Sequence, residues 1–196
     1  MFHSRFNQVL AIVVWLFCCG AVAAVIVSSL GTSAEYLPLI AFVALLAWAG
    51  LWRPAVRIDE HAVTIVNVLS TVSIPWPALI DIETRYALTL VTPQGRFAAT
   101  AAPAPGRFAS ALSKRDLTRV NAQTGSTGSL RPGDLPNTDS GAAAYLVRDY
   151  WEKLVAQERI ELGVADTTHV TRRWHWMVIG LCAALLIASV ATLTLG

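Results

Sequence analysis

Three uncharged apolar runs limit what this chain can fold into: Val9–Leu30, Leu37–Trp52 and Trp176–Leu195. A bilayer's hydrocarbon core takes about 20 predominantly apolar residues as helix, and a helix satisfies its own backbone polar groups there. The first and third runs reach that length. The second is shorter and is expected to stand upright or to thin the bilayer locally. Pro38 falls in its first turn, where a missing N–H costs nothing. With 55% hydrophobic and only 14% charged residues, the chain lies well outside the composition of soluble globular proteins.

The first run competes with a cleaved signal peptide, because Arg5 supplies an n-region and Ala21-Val22-Ala23 resembles a cleavage site. It exceeds the h-region length of about 7–15 residues, and a second span follows at once, so a retained helix is expected. A lipid anchor at Cys18 or Cys19 is disfavoured, since Phe17 or Cys18 would occupy the preceding position that needs a small residue. Cys18, Cys19 and Cys182 all sit in apolar runs, lack metal-ligand spacing, and read as buried small hydrophobes.

Orientation follows from basic residues, which concentrate on the cytoplasmic side of spans. Arg5 flanks the first helix, Arg53 and Arg57 follow the second, and Arg172 and Arg173 precede the third; the 31–36 turn and Gly196 carry none. All three flanks predict residues 1–8 inside, residues 53–173 inside, the 31–36 turn outside and the C-terminus outside. The protein is thus expected in the plasma membrane as a multi-pass chain. Trp48, Trp52, Trp174 and Trp176 mark the interfacial ends.

Small residues recur at helical spacing: Gly20, Ala24 and Ser28 in the first span, and Gly180, Ala184, Ala188 and Thr192 in the third. Such stripes let helix backbones approach closely. They serve either packing within this chain or docking onto another membrane protein.

Between the spans the pattern changes. Val56 and Ile58 alternate with Arg57 and Asp59; Val63, Ile65, Asn67 and Leu69 share one strand face. Thr71–Ile74, Leu79–Thr84, Ala87–Thr92 and Arg96–Ala101 read as further strands, broken by Pro75-Trp76-Pro77 and turned at Pro93-Gln94-Gly95. Trp76 is expected in the core. Residues 103–138 have loop composition and are locally basic through Arg107, Lys114, Arg115, Arg119 and Arg131. Ser140 is placed to cap a helix over 140–162, with Ala143, Leu146, Val147, Tyr150, Trp151 and Leu154 as its apolar stripe. A linker over 163–175 returns to the membrane.

The run SIPWPALIDIE, the hairpin LTLVTPQGR and a closing helix with a central Tyr150-Trp151 resemble the bacterial PH-like domain family of small actinobacterial membrane proteins, some of them known as low-molecular-weight antigens. The resemblance covers residues 53–162. It implies a seven-stranded α+β PH-like β-barrel capped by one C-terminal helix, on three transmembrane helices, with no enzyme chemistry. Six strands are visible in the pattern; the seventh is expected near Phe108–Leu112.

No active site is legible. His3, His61, His169 and His175 form no metal pattern, and no Gly-rich phosphate loop follows a strand. Asp81 and Glu83 share a strand face and read as its solvated side. The tip Asp59-Glu60-His61 carries acidic residues where an inositide-binding PH domain carries basic ones. The net charge of +2 does not argue for nucleic acid. No catalytic residue, cofactor, metal or soluble small-molecule substrate is expected. The expected role is a membrane-anchored adaptor, an accessory or scaffolding subunit of an integral membrane complex, with a respiratory supercomplex ahead of envelope-building machinery. The alternative is a sensor of anionic lipid that uses Arg107, Lys114, Arg115, Arg119, Arg131, Arg172 and Arg173.

Overall fold

The computed structural model describes residues 2–27, 34–103, 138–160 and 163–195. Helix α1 spans Arg5–Val27 and α2 spans Leu37–Ala47, followed by a π-turn over Trp48–Trp52; α4 spans Trp176–Leu195. These three helical segments are long and apolar enough to cross a membrane. The first begins four residues before the apolar run because Ser4 caps it: its Oγ accepts from the Asn7 amide at 3.3 Å. Trp15 of α1 donates its indole N–H to the Ala44 carbonyl of α2 at 3.1 Å and lies 5.4 Å from the Trp52 ring. At the other end Thr192 of α4 donates to the Glu35 carbonyl at 2.9 Å, beside the start of α2.

Among the described residues, seven strands form two antiparallel sheets rather than one closed barrel. The first sheet holds β1 (Ala55–Ile58), β2 (Ala62–Val66), β3 (Ser70–Pro75) and β7 (Thr171–Trp174), in that order. The second holds β4 (Asp81–Glu83), β5 (Ala87–Thr92) and β6 (Gly95–Pro103). Each is a chain of tight antiparallel pairings, and the sheets meet where β1 and β2 approach β6.

Helix α3 spans Asp139–Ala156 and packs on the second sheet. Its N-cap is Thr138, whose hydroxyl accepts from the Gly141 amide at 3.0 Å; Ser140, the expected cap, is instead buried in the first turn. The helix ends before the expected 162, turning at Glu158 with φ 53°. Its buried stripe is Ala143, Val147 and Leu154, with Tyr150 and Trp151 half-buried; Leu146 lies off it and is exposed.

Period-2 alternation builds the core. Val63 and Ile65, Val72 and Ile74, and Leu88 and Leu90 point inward from their strands and are buried. Burying each such side chain contributes about 1.5–3 kcal/mol. Trp76 stands in this core as expected, 1% exposed, its Nε1 donating to the Asp59 carbonyl at 2.9 Å and its ring 5.3 Å from Tyr150. The second strand stops at Val66, short of the expected Leu69. The Asn67 amide turns away to serve β6: Nδ2 donates to the Ala98 carbonyl at 2.8 Å, and Oδ1 accepts from the Thr100 amide at 2.9 Å.

The seventh strand is the largest departure from expectation. It comes from the stretch expected as a linker and pairs Ser70 with Trp174 and Ser73 with Thr171. Phe108–Leu112, the expected source, lies outside the described residues.

Candidate functional site

Every apolar helix is wired into the first sheet. Before α1, Phe2 bridges β1: its amide donates to the Val56 carbonyl at 2.7 Å, and the Val56 amide donates back at 3.0 Å. After α2 and its π-turn the chain passes Arg53 and Pro54 and becomes β1. At the opposite edge β7 pairs with β3, the His175 amide donates to the Leu69 carbonyl at 2.9 Å, and α4 starts at the next residue. The β1 edge is therefore bridged at Val56 by the segment that leads into α1, and the β3 edge is covered by the segment that leads into α4, which reduces the free backbone that the β1–β2–β3 meander would otherwise offer to strangers.

Side chains lock the same junction. Arg53 Nη1 donates to His175 Nδ1 at 2.7 Å, and His175 Nε2 donates to Thr71 Oγ1 at 2.9 Å. Nδ1 also lies 3.3 Å from the Val68 carbonyl; the guanidinium contact is the shorter of the two and a guanidinium only donates, so Nδ1 presents its lone pair and the proton is assigned to Nε2. Arg53 also lies 5.5 Å over the Trp48 ring, and burial lowers its pKa below the ordinary arginine value. On the N-terminal side, His3 Nδ1 donates to the Pro54 carbonyl at 3.2 Å, and Ser4 Oγ donates to the Asp139 carboxylate at the first turn of α3. The capping helix is thus tied to the root of α1. Further along, the Gln94 side-chain amide clamps the approach to β7, donating to the Thr168 carbonyl at 2.8 Å and accepting from the Val170 amide at 2.6 Å.

The residues singled out by sequence fall into three groups. Arg172 and Arg173 lie on β7, exposed; the Arg172 guanidinium sits 4.0 Å over Trp174 and its Nε donates to Ser70 Oγ at 3.3 Å. Arg107, Lys114, Arg115, Arg119, Arg131 and Ser28 lie outside the described residues. Of the small-residue stripes, Gly20, Ala24, Gly180 and Ala184 are exposed, and a Cβ at Gly20 or Gly180 would meet nothing within 4 Å. Only Ala188, half-buried, and Thr192 turn inward. Cys18 and Cys182 are half-buried and Cys19 is exposed, so the expectation of three buried cysteines does not hold within this fold.

Elsewhere several polar groups of the described residues are paired with one another. The acidic tip is partly answered by Arg159, 3.4 Å from Glu60. Asp81 caps the Ile82 amide at 2.7 Å and Arg148 donates to the Ile82 carbonyl at 2.9 Å, so the outward backbone groups of β4 are occupied. Glu83 pairs with Arg96 at 2.6 Å rather than with Asp81. A groove of about 210 Å³ remains between β4 and α3, lined by Leu79, Ile82, Arg148 and Trp151. The buried Trp151 Nε1 finds no hydrogen-bond partner among the described residues. No cluster of metal-ligating side chains occurs among the described residues.

Sequence reasoning missed His175, Ser4, Asn67 and Gln94. Each acts on backbone or side chains far away in sequence, and single polar residues leave no periodic signal. His175 alone had a pointer, its position between two tryptophans at the start of an apolar run.

No curated protein and no solved structure matches the chain. Residues 53–124, which contain β1 to β6, match the family model described as Bacterial PH domain. Helix α3 and β7 lie beyond the matched stretch. The chain therefore carries a PH-like domain, built of antiparallel sheets plus helices and joined at its first sheet to three apolar helices.

Proposed function

We propose that the chain is a non-enzymatic membrane-anchored adaptor, an accessory or scaffolding subunit whose PH-like domain is held against the cytoplasmic leaflet by three membrane-spanning helices. One observation carries this reading: both edges of the β1–β2–β3 meander are bonded to segments that continue into apolar helices. A flexible tether would suffice to keep a soluble domain near a membrane. A backbone bridge at β1 and a ladder at β3 instead fix its attitude, which is useful when the domain and the helices must meet one partner together. The open face at Gly20 supports the same reading, because small residues at a helix surface admit a neighbouring helix closely. PH-like domains commonly mediate lipid or protein interaction and are generally non-catalytic.

The test is extraction of the tagged chain in mild detergent and mass spectrometry of what accompanies it, with a respiratory supercomplex the first assembly to examine and envelope-building machinery the second. Stoichiometric recovery of a larger integral membrane partner is expected. Recovery of a lone monomer, under conditions that keep known assemblies intact, would sink the reading.

A second reading, contact with anionic lipid, is favoured by a separate observation. Arg5, Arg53, Arg57, Arg172 and Arg173 gather at one end of the helices, and none makes an ion pair with a carboxylate among the described residues.

A further inference from the structure

An open cleft of about 930 Å³ lies between α2 and α4 at the end nearest the sheet. Its walls are hydrocarbon: Leu45, Met177, Leu181 and Ala184, with Gly180 leaving a furrow where a side chain would stand. Its rim is different. Trp48, Trp174 and Trp176 surround it, and Arg53 opens onto it beside His175. The Arg172 guanidinium covers Trp174 from 4.0 Å. Apolar walls give water no partners, whereas tryptophan and arginine at a rim suit the headgroup level of a bilayer.

The charge at the rim decides the occupant. Arg53 is partly buried and Arg172 is held on an aromatic face, yet neither has a carboxylate within ion-pair distance among the described residues. A partly desolvated cation calls for an anion. The cationic amine of a zwitterionic headgroup would meet two arginines and no acid there. We propose that the α2–α4 cleft holds one anionic phospholipid, its phosphate at Arg53 on the rim, beside the Trp174 that Arg172 covers, and an acyl chain along the Gly180 furrow. This deepens the lipid reading above and rests on the helices spanning a bilayer; it places the headgroup at the root of the helices, away from the acidic β1–β2 tip.

The full-length protein in mild detergent is titrated with phosphatidylglycerol or with phosphatidylcholine of the same acyl chains, and bound lipid is counted by native mass spectrometry. Each basic group near anionic lipid is worth about a fivefold factor in affinity, so two give roughly a thirtyfold preference for phosphatidylglycerol, with one molecule retained. Arg53→Gln is expected to reduce that preference to about fivefold, and because it also disturbs His175, a second variant is needed. Gly180→Leu projects into the furrow from a position where its Cβ meets nothing within 4 Å and is expected to expel lipid of either headgroup while the protein remains folded and monodisperse. Inorganic phosphate at equal concentration should not compete. Equal retention of the two lipids, undiminished retention in Gly180→Leu, or displacement by free phosphate overturns the proposal. Alkaline carbonate extraction of membranes, run in parallel, separates the two failures: a chain released by carbonate refutes the spanning reading itself, and a retained chain without lipid preference refutes only the cleft.

Discussion

His175 is the most informative side chain to remove. It joins β7, the start of α4, Arg53 and β3 at one point, and His175→Phe keeps a planar ring while deleting its polar contacts, of which those to Arg53 and Thr71 are the short ones. The bond from Arg53 at 2.7 Å is charge-assisted, a class worth about 1.5–3 kcal/mol net; that to Thr71 at 2.9 Å is neutral and worth about 0.5–1.5 kcal/mol. Both are partly exposed, so a combined loss of about 2 kcal/mol is the working figure. That loss should fall on β7, because all four of its residues are exposed and its hold on the domain is mainly the ladder to β3. Local opening of such a segment is read directly by amide hydrogen exchange. In the detergent-solubilised full chain, amides of residues 171–175 should exchange about thirtyfold faster in the variant, while those of β5 in the second sheet hold their rates. Wild-type rates across 171–175 in a folded variant would refute His175 as the joint. Equal acceleration in both sheets would refute the idea that β7 opens independently.

Three further outcomes follow from other contacts. Ser4→Ala removes the cap of α1 and its bond to Asp139, and should lower thermal stability by about 1 kcal/mol in a melt followed by circular dichroism. Trp76→Ala empties the middle of the core and removes the bond to Asp59; a cost of about 3–5 kcal/mol is expected, seen as loss of the cooperative transition of the domain and protease sensitivity between the helices. Reporter fusions test the orientation: a periplasmically active reporter should work at the C-terminus and fail when inserted after Gly163, and the reverse pattern would invert the topology.

How much of this was readable beforehand depends on the range of the forces involved. The three apolar segments, the hairpin at Pro93-Gln94-Gly95 and the burial of Trp76 were legible because each follows from a local run or alternation. Boundaries moved where one polar group intervened: Ser4 extended α1 backwards, Thr138 displaced Ser140 as cap, and Asn67 ended β2 to serve β6. The seventh strand was not legible at all. Thr171–Trp174 has no buried face, and its two arginines carry the same signature as a basic membrane flank. Its strand character comes only from β3, far away in sequence. The small-residue stripes were visible, but not the fact that Gly20, Ala24, Gly180 and Ala184 would be left open. Arg53, legible as a flanking charge, proved to be a structural donor as well.

The position of β7 also governs the order in which the protein can be made. Its partner β3 is synthesised long before it, with β4, β5, β6 and α3 in between, so the outer edge of β3 stays bare until the ribosome has reached the doorstep of the last helix. Pairings between such distant segments form slowly, and an uncovered strand edge invites misassembly meanwhile. Completing the sheet and delivering α4 are consequently successive steps of one event. A chain truncated before Thr171 would leave that edge uncovered, and could be recognised by quality-control machinery through the exposed strand alone.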